Sequence, residues 1–379
     1  MTVCWTRVLS VVFFLFVVSV AGEPQAMAQI PKAPRPAVTS VPDMFIFPKL
    51  GARPSNFDDM SPIMPMSFLT KFGITEDWWY QASLRGSNGR EYIVRFSFGH
   101  SGTSEGSIRF SELVPADKEL GNPDLHCDFS GERSETDISA QTIRFHHAGI
   151  GCEIETLISQ ANLTTIRATI GQSHLELNFR SRGFPIPFDP LVASQPGSFA
   201  SGFEDLSDVT GTATMQGTNV SLSGRGTKEH FRFSLATLSV GNGDKQPTNL
   251  NNDWFIINTD SIYMLVNRSR DNHNVISYGA GIMVDNLFET AKDKAVSIDM
   301  DTTSNAWPKW VNIKIQTQFG SYDLKGTLAG KADQYPLGPG YIHYPIYTFT
   351  GTMTHYGATT QLTNGSGWLE MRRYTPGPF

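Results

Sequence analysis

Glu229 and His230 stand side by side just past two glycines that bracket Arg225, in the run Gly224-Arg225-Gly226-Thr227-Lys228-Glu229-His230. A carboxylate and an imidazole held together can pass a proton to and from a reacting group. A nearby guanidinium can polarise a carbonyl. Strand neighbours point to opposite faces, so Glu229 and His230 act as one catalytic pair only where a bulge re-aims one of them. Otherwise Glu229 is a solvated carboxylate and His230 a hydrogen-bonding residue of a core or pocket.

The segment that must position this pair is itself strand-like. Thr212 to Gln216 alternates, Gly217-Thr218-Asn219 reads as a turn, and Val220 to Ser223 returns. A third strand follows in Phe231 to Ser234. Glycine inside a strand marks a bulge or a close approach of two backbones, which is what Gly224 and Gly226 predict.

Aromatic residues form the second group with chemical use. Trp78 and Tyr80 share one face of a strand and Trp79 takes the other, so one side lines a pocket or packs a core. Trp254 and Tyr263 open the second half as candidate ligand contacts. Tyr341, His343, Tyr344 and Tyr347 lie among Gly and Pro and read as an aromatic loop, either a lid or plain surface packing. His146 and His147 lack a third ligand and are expected at the surface. No metal site and no cofactor are expected. Phosphate-loop and dinucleotide motifs do not occur.

The net charge of −6, without a basic block, argues against nucleic acid, whose binding rests on phosphate neutralisation. Arg7, the apolar run from Val8 to Val20 and Ala26-Met27-Ala28 together read as a secretory signal peptide, residues 1–28. The apolar run is too short for a membrane span, which needs ~20 residues, so no stable membrane insertion is expected. Cys4 leaves with the signal, and Cys127 and Cys152 remain to form one disulfide in an oxidising compartment. Sequons at Asn162, Asn219, Asn267 and Asn364 fit a secreted glycoprotein.

Residues 29–66 are rich in proline and read as a linker. Beyond them short alternating runs follow one another at roughly 10-residue spacing, the pattern of a sandwich or barrel. Asn88-Gly89 between Glu76–Leu84 and Glu91–Phe98 is a strong hairpin signal. The stretch from Phe184 to Ser207 is expected as a rim loop and Gly241 to Asn252 as the passage into a second half of about eight strands. The expected fold is all-β: two antiparallel lipocalin-like barrel or sandwich domains side by side, residues 67–240 and 241–379, with little helix. Asp77-Trp78-Trp79 and Asp253-Trp254-Phe255 open the two halves as a weak internal echo.

Glu76-Asp77-Trp78-Trp79-Tyr80, the glycine-bracketed run into Glu229-His230, Asp253-Trp254-Phe255, Trp307-Pro308-x-Trp310 and Gly367-Trp368-Leu369-Glu370-Met371 occur in an order that resembles one group. It is the lipocalin-like superfamily of the carotenoid 1,2-hydratases, kievitone hydratase and fungal Diels–Alderases. The resemblance spans about Glu76 to Tyr374 and implies a pocket in or between two β domains. It implies catalysis by Glu229 and His230, and substrate contacts from Trp78, Tyr80, Arg225, Trp254, Tyr263, Tyr341 and His343. The implied activity is a secreted, cofactor-free cyclase of Diels–Alder type acting on a hydrophobic polyketide or terpenoid. A hydratase or dehydratase, and a non-catalytic carrier, are the alternatives. Phe231-Arg232-Phe233 and Met371-Arg372-Arg373-Tyr374 depart from the group's pattern and leave the reaction open, as the oligomeric state is open between monomer and homodimer.

Overall fold

The hairpin at Asn88-Gly89 forms as the alternation predicts. β1 (Ile74–Gly86) pairs with β2 (Glu91–His100), and Gly89 takes the left-handed φ of 81° that the turn requires. The computed structural model describes residues 74–100, 104–131, 134–138, 142–149, 151–159, 163–182, 185–187, 200–234, 250–259, 261–271, 274–284, 287–304, 306–337 and 340–373. The signal peptide, the proline-rich linker, Asn162 and positions 241–249 of the passage between the halves lie outside the described residues.

The chain continues through β3 (Ser104–Glu112), β4 (Val114–Pro115), β5 (Leu125–Gly131), β6 (Ser134–Ile138) and β7 (Thr142–Gly149). Then come β8 (Cys152–Ser159), β9 (Leu163–Ile170), β10 (Ser173–Ser181), β11 (Ile186–Pro187), β12 (Ala200–Met215) and β13 (Thr218–Ser234). All but β4 form one antiparallel sheet, ordered β5-β3-β2-β1-β13-β12-β10-β9-β8-β7-β6, with β11 on β12. The sheet curls into a half-barrel around Trp78, Tyr80, Phe96, Phe98, Phe110 and Phe179, all fully buried.

β14 (Leu250–Asn258), β15 (Ile262–Asp271), β16 (Asn274–Val284), β17 (Leu287–Lys292) and β18 (Val296–Met300) begin the second sheet. β19 (Trp310–Gln316), β20 (Gly320–Leu337), β21 (Gly340–His355) and β22 (Ala358–Arg373) complete it. Their order is β17-β16-β15-β14-β22-β21-β20-β19-β18, with β4 paired to β20. The end strands β17 and β18 are joined by the short 3-10 turn Asp293–Ala295, and the sheet closes nearly into a barrel. β4, β5, β6, β11 and β17 add to the strands expected from sequence; all are short.

The two halves share a plan. β1 lies between β2 and β13, the last strand of its sheet; β14 lies between β15 and β22, the last strand of its own. The Asp-aromatic echo does not follow this equivalence. Trp79 and Trp254 both face the other sheet, whereas Asp253 points into its barrel and Asp77 lies on the Trp79 side of β1. The matching runs are one residue out of phase, which in a strand exchanges faces.

Cys127 on β5 and Cys152 on β8 form a disulfide, with a Cα–Cα distance of 6.3 Å. It ties one edge of the first sheet to a strand near the other, and both cysteines sit in the core. The 25-residue separation gives an expected entropic stabilisation of about 3 kcal/mol. A Cys127→Ala/Cys152→Ala protein should show a urea midpoint lowered by a matching amount. An unchanged midpoint would mean that strand pairing and packing alone hold β5 in place.

The register runs unbroken through Ser223 to Lys228 against both β1 and β12, so no bulge lies there. The glycines instead serve a close approach: a Cβ on Gly224 would stand 2.0 Å from the Ser83 carbonyl oxygen. The turn before them is Gln216-Gly217, with φ of 50° and 79°, and Thr218 and Asn219 already belong to β13. Phe231 to Ser234 is the end of that same strand and not a third one.

Candidate functional site

Without a bulge, the alternation of β13 sends Glu229 and His230 to opposite faces. His230 points into the first half-barrel at 0% exposure, its ring stacked on Trp78 at 4.5 Å. Glu229 points toward the second sheet, in a cross-strand row with Trp79 and Glu204. The adjacent pair is therefore not one acid/base unit.

The sequence-predicted residues fall in three places. Trp78, Tyr80 and His230 belong to the interior of the first half-barrel. Lys228 and Asp205 share that interior as an ion pair at 3.7 Å, and Ser181 donates to Asp205. Burial pulls the Lys228 amine down, and Asp205 counters it. His147 also lies inside, 4.2 Å from Phe98, and is not a surface residue; His146 faces Glu153.

Tyr341 and His343 form a separate corner. They lie on β21, not on a loop, because Gly340 to His355 continues as one strand against β20 and β22. His343 is buried 5.3 Å from Trp307, and Tyr341 is 49% exposed. The Tyr347 hydroxyl donates to the Pro308 carbonyl and so anchors the Trp307-Pro308-x-Trp310 segment. Of the sequons described, Asn219 and Asn364 are exposed. Asn267 is 2% exposed, a position that the folded protein closes to a glycan.

Glu229, Arg225, Trp254 and Tyr263 meet in the third place, where the outer face of the first sheet packs on the second. Trp79, Ile93 and Leu206 from the first sheet pack there with Ile256, Leu265, Tyr344, Ile346 and Trp368 from the second. Asp333 of β20 pairs with Arg95 at 3.0 Å and Arg109 at 3.1 Å across this junction. The Arg95 guanidinium also lies 4.5 Å from the Tyr344 ring.

Between the sheets lies a cleft of about 140 Å³. One wall is Gln81, Ser83, Arg225, Gly226 and Thr227; the other is Ile256, Asn258, Ser366 and Trp368. A void of this size holds one ring. Gly226 cannot be enlarged, since a Cβ there would stand 2.4 Å from the Gln81 carbonyl oxygen. Arg225 donates to the Thr259 carbonyl at 3.2 Å, which fixes its guanidinium at the cleft wall.

Directly behind this wall is Glu204, on β12, at 0% exposure. Its carboxyl accepts the Trp254 indole N–H at 3.1 Å. Burial pushes the carboxyl up to about 7, and the Glu370 charge adds to the rise. The Thr227 hydroxyl, the Trp254 indole and the Gln81 amide beside it pull the other way. Tyr263, whose hydroxyl finds no partner among the described residues, is held well above the ordinary phenol value, first by burial and then by Glu204, Asp205 and Glu229. Glu370 accepts the Tyr344 hydroxyl at 2.9 Å.

Glu204 falls in the stretch expected as a rim loop, but from Ala200 onward that stretch is β12. The clue in the sequence is parity: Phe203, Ser207 and Val209 alternate onto the interior face, leaving Glu204 and Leu206 on the other. A loop assignment erases that alternation, and Glu204 with it.

No family model matches the chain, and no curated protein matches it. Solved structures do. CghA with Sch210972 aligns with a TM-score of 0.57 and 12% identity, over 89% of this chain and 98% of that one. An AttH-like protein of Nitrosomonas europaea aligns at 0.50 and 13% identity, over 83% of this chain and 99% of that one. Kievitone hydratase from Nectria haematococca aligns at 0.46 and 15%, over 79% and 89%. At such identities, the first two likenesses establish a shared fold: two antiparallel lipocalin-like β units packed side by side.

Proposed function

We propose that the protein is a cofactor-free enzyme that adds water to, or removes it from, a polarised double bond in a small hydrophobic molecule held between the two sheets. The observation that carries this reading is Glu204: a fully buried carboxyl touching the cleft wall, with its proton held to about pH 7. A general acid works best when its pKa lies near the working pH. Thr227 lines the cleft beside Glu204, and its hydroxyl and Glu204 Oε1 both lack a hydrogen-bond partner among the described residues, so the hydroxyl can turn between carboxyl and substrate and pass the proton. In hydration, the Glu204 proton passes through Thr227 to the substrate oxygen or alkene carbon. Water attacks the electron-poor carbon, and Glu229, the cross-strand neighbour of Glu204, takes the proton that the water releases. Dehydration is the reverse. Arg225 and Gln81 at the wall favour a substrate carbonyl.

Ring closure is the second reading, favoured by the same neutral donors and by confinement, which removes much of the entropic barrier. CghA with Sch210972 shares the fold, and the Diels–Alderases belong to the group that the ordered motifs resemble. The Cys127–Cys152 disulfide supports an oxidising, secretory compartment.

The test is incubation with a panel of apolar enones and polyenes, read by mass spectrometry. A product differing by one water, lost in Glu204→Gln and reduced about 100-fold or more in Thr227→Val, is expected. A product of unchanged mass, formed at a rate indifferent to pH, supports ring closure instead. Binding without any product leaves a carrier and ends both readings.

A further inference from the structure

We propose that Asn258 sets the specificity of the cleft, and that the molecule bound there carries a hydroxyl on the far side of its ring from the reacting double bond. The inference deepens the hydration reading and takes from it only the place of the double bond, beside Thr227. Trp254, Ile256 and Asn258 alternate along β14 onto the face that meets the first sheet. Two contacts align this row with β13. The Trp254 indole donates to Glu204, the cross-strand neighbour of Glu229, and Arg225 donates to the carbonyl of Thr259, next to Asn258. The cleft between them therefore has two levels. At one, Thr227 and its cross-strand neighbour Gln81 face Ile256 and its neighbour Trp368. At the other, Arg225 and Ser83 face Asn258 and Ser366. Two residues of strand separate the levels by about 7 Å, the reach of one substituted ring. Asn258 is 5% exposed, and its Oδ1 has no hydrogen-bond partner among the described residues. Native proteins rarely leave a buried acceptor so, and here the group that answers it comes from the cleft. A ring bearing a hydroxyl at this level donates to Asn258, and the Ser83 and Ser366 hydroxyls beside it donate to the oxygen in return. A ring without the hydroxyl shuts water out and leaves the acceptor bare, which is how a polar site rejects an apolar analogue.

The experiment is calorimetric titration of the full chain with para-hydroxybenzylideneacetone and with its para-methyl analogue, in which a methyl of similar size takes the hydroxyl's place. The native protein should bind the hydroxyl compound about 10- to 100-fold more tightly, against the preference that apolar burial alone would give. Asn258→Leu should bring the two affinities within about 3-fold of each other. Asn258→Asp, which keeps an acceptor of the same size, should keep the preference. Equal affinities in the native protein, no binding of the hydroxyl compound, or a preference that survives Asn258→Leu overturns the assignment, and the native comparison needs no variant to fold. The hydration reading fails separately. The stated preference in binding, with no product of added water from any enone, sinks the hydratase and leaves Asn258 as the selecting residue of a carrier. Product formed equally well from both compounds does the opposite.

Discussion

Glu204→Gln is expected to make the folded protein more stable than the native sequence at pH 8, and no more stable than it at pH 4. In the folded protein the carboxyl is raised from 4.5 to about 7. Below 4.5 the folded and unfolded chains both carry the proton, and ionisation costs nothing. Between 4.5 and 7 the unfolded chain ionises while the folded one holds its proton, so native stability falls as pH rises. Above 7 the loss is complete. At ~1.4 kcal/mol per pH unit the loss is about 3 kcal/mol. Gln fills the same space, still accepts the Trp254 indole N–H, and cannot ionise. Urea unfolding of both proteins from pH 4 to 8 should therefore give curves that separate with rising pH. Parallel curves would mean that Glu204 titrates like an exposed glutamate, and the case for a poised acid would go with it.

The strands that alternate between polar and apolar residues were legible. β1, β2, β9, β10 and β13 carry that pattern, and their pairing follows from it. Legibility failed where a charged residue occupies an interior or interface position. Asp205 and Lys228 point into the first half-barrel and Glu204 points into the junction, so the start of β12 has no apolar signature and resembles a loop. Tyr341 to Tyr347 failed for the opposite reason: β21 packs on both faces, so Ile342, Tyr344 and Ile346 meet the other sheet while Tyr347 and Phe349 fill the barrel. A strand buried on both sides has no polar phase to betray it. The candidate site shares this property. Trp254 and Tyr263 were named from the sequence; Glu204 was not, because what buries it against Trp254 is a docking of two sheets that no local pattern encodes.

The interior of the second barrel holds a charge of its own, and its removal is expected to have the largest effect on stability in the molecule. Arg268 reaches Asp253 through two nitrogens, at 2.7 Å and 2.6 Å, with Asp253 fully buried. The same guanidinium donates to the Ile298 carbonyl at 3.4 Å and approaches the Met300 sulfur at 3.2 Å. Asp253 and Arg268 are cross-strand neighbours on β14 and β15, whereas Ile298 and Met300 lie on β18, the far end strand. One side chain thus spans the barrel where its sheet fails to close by backbone pairing. Arg268→Met is expected to cost about 3–5 kcal/mol, because it leaves the Asp253 carboxylate buried without the guanidinium that balances it. Asp253→Leu/Arg268→Met should recover most of that loss, since replacing both charges by apolar groups also removes the desolvation cost. Hydrogen exchange should show β18 opening in both proteins, because the link to Ile298 is gone in each. Trp254 adjoins Asp253 in the chain and donates to Glu204, so the single substitution should also disturb the Glu204 titration, and the double one should restore it. A single substitution costing under ~1 kcal/mol would mean that water reaches Asp253 and that packing alone closes the barrel.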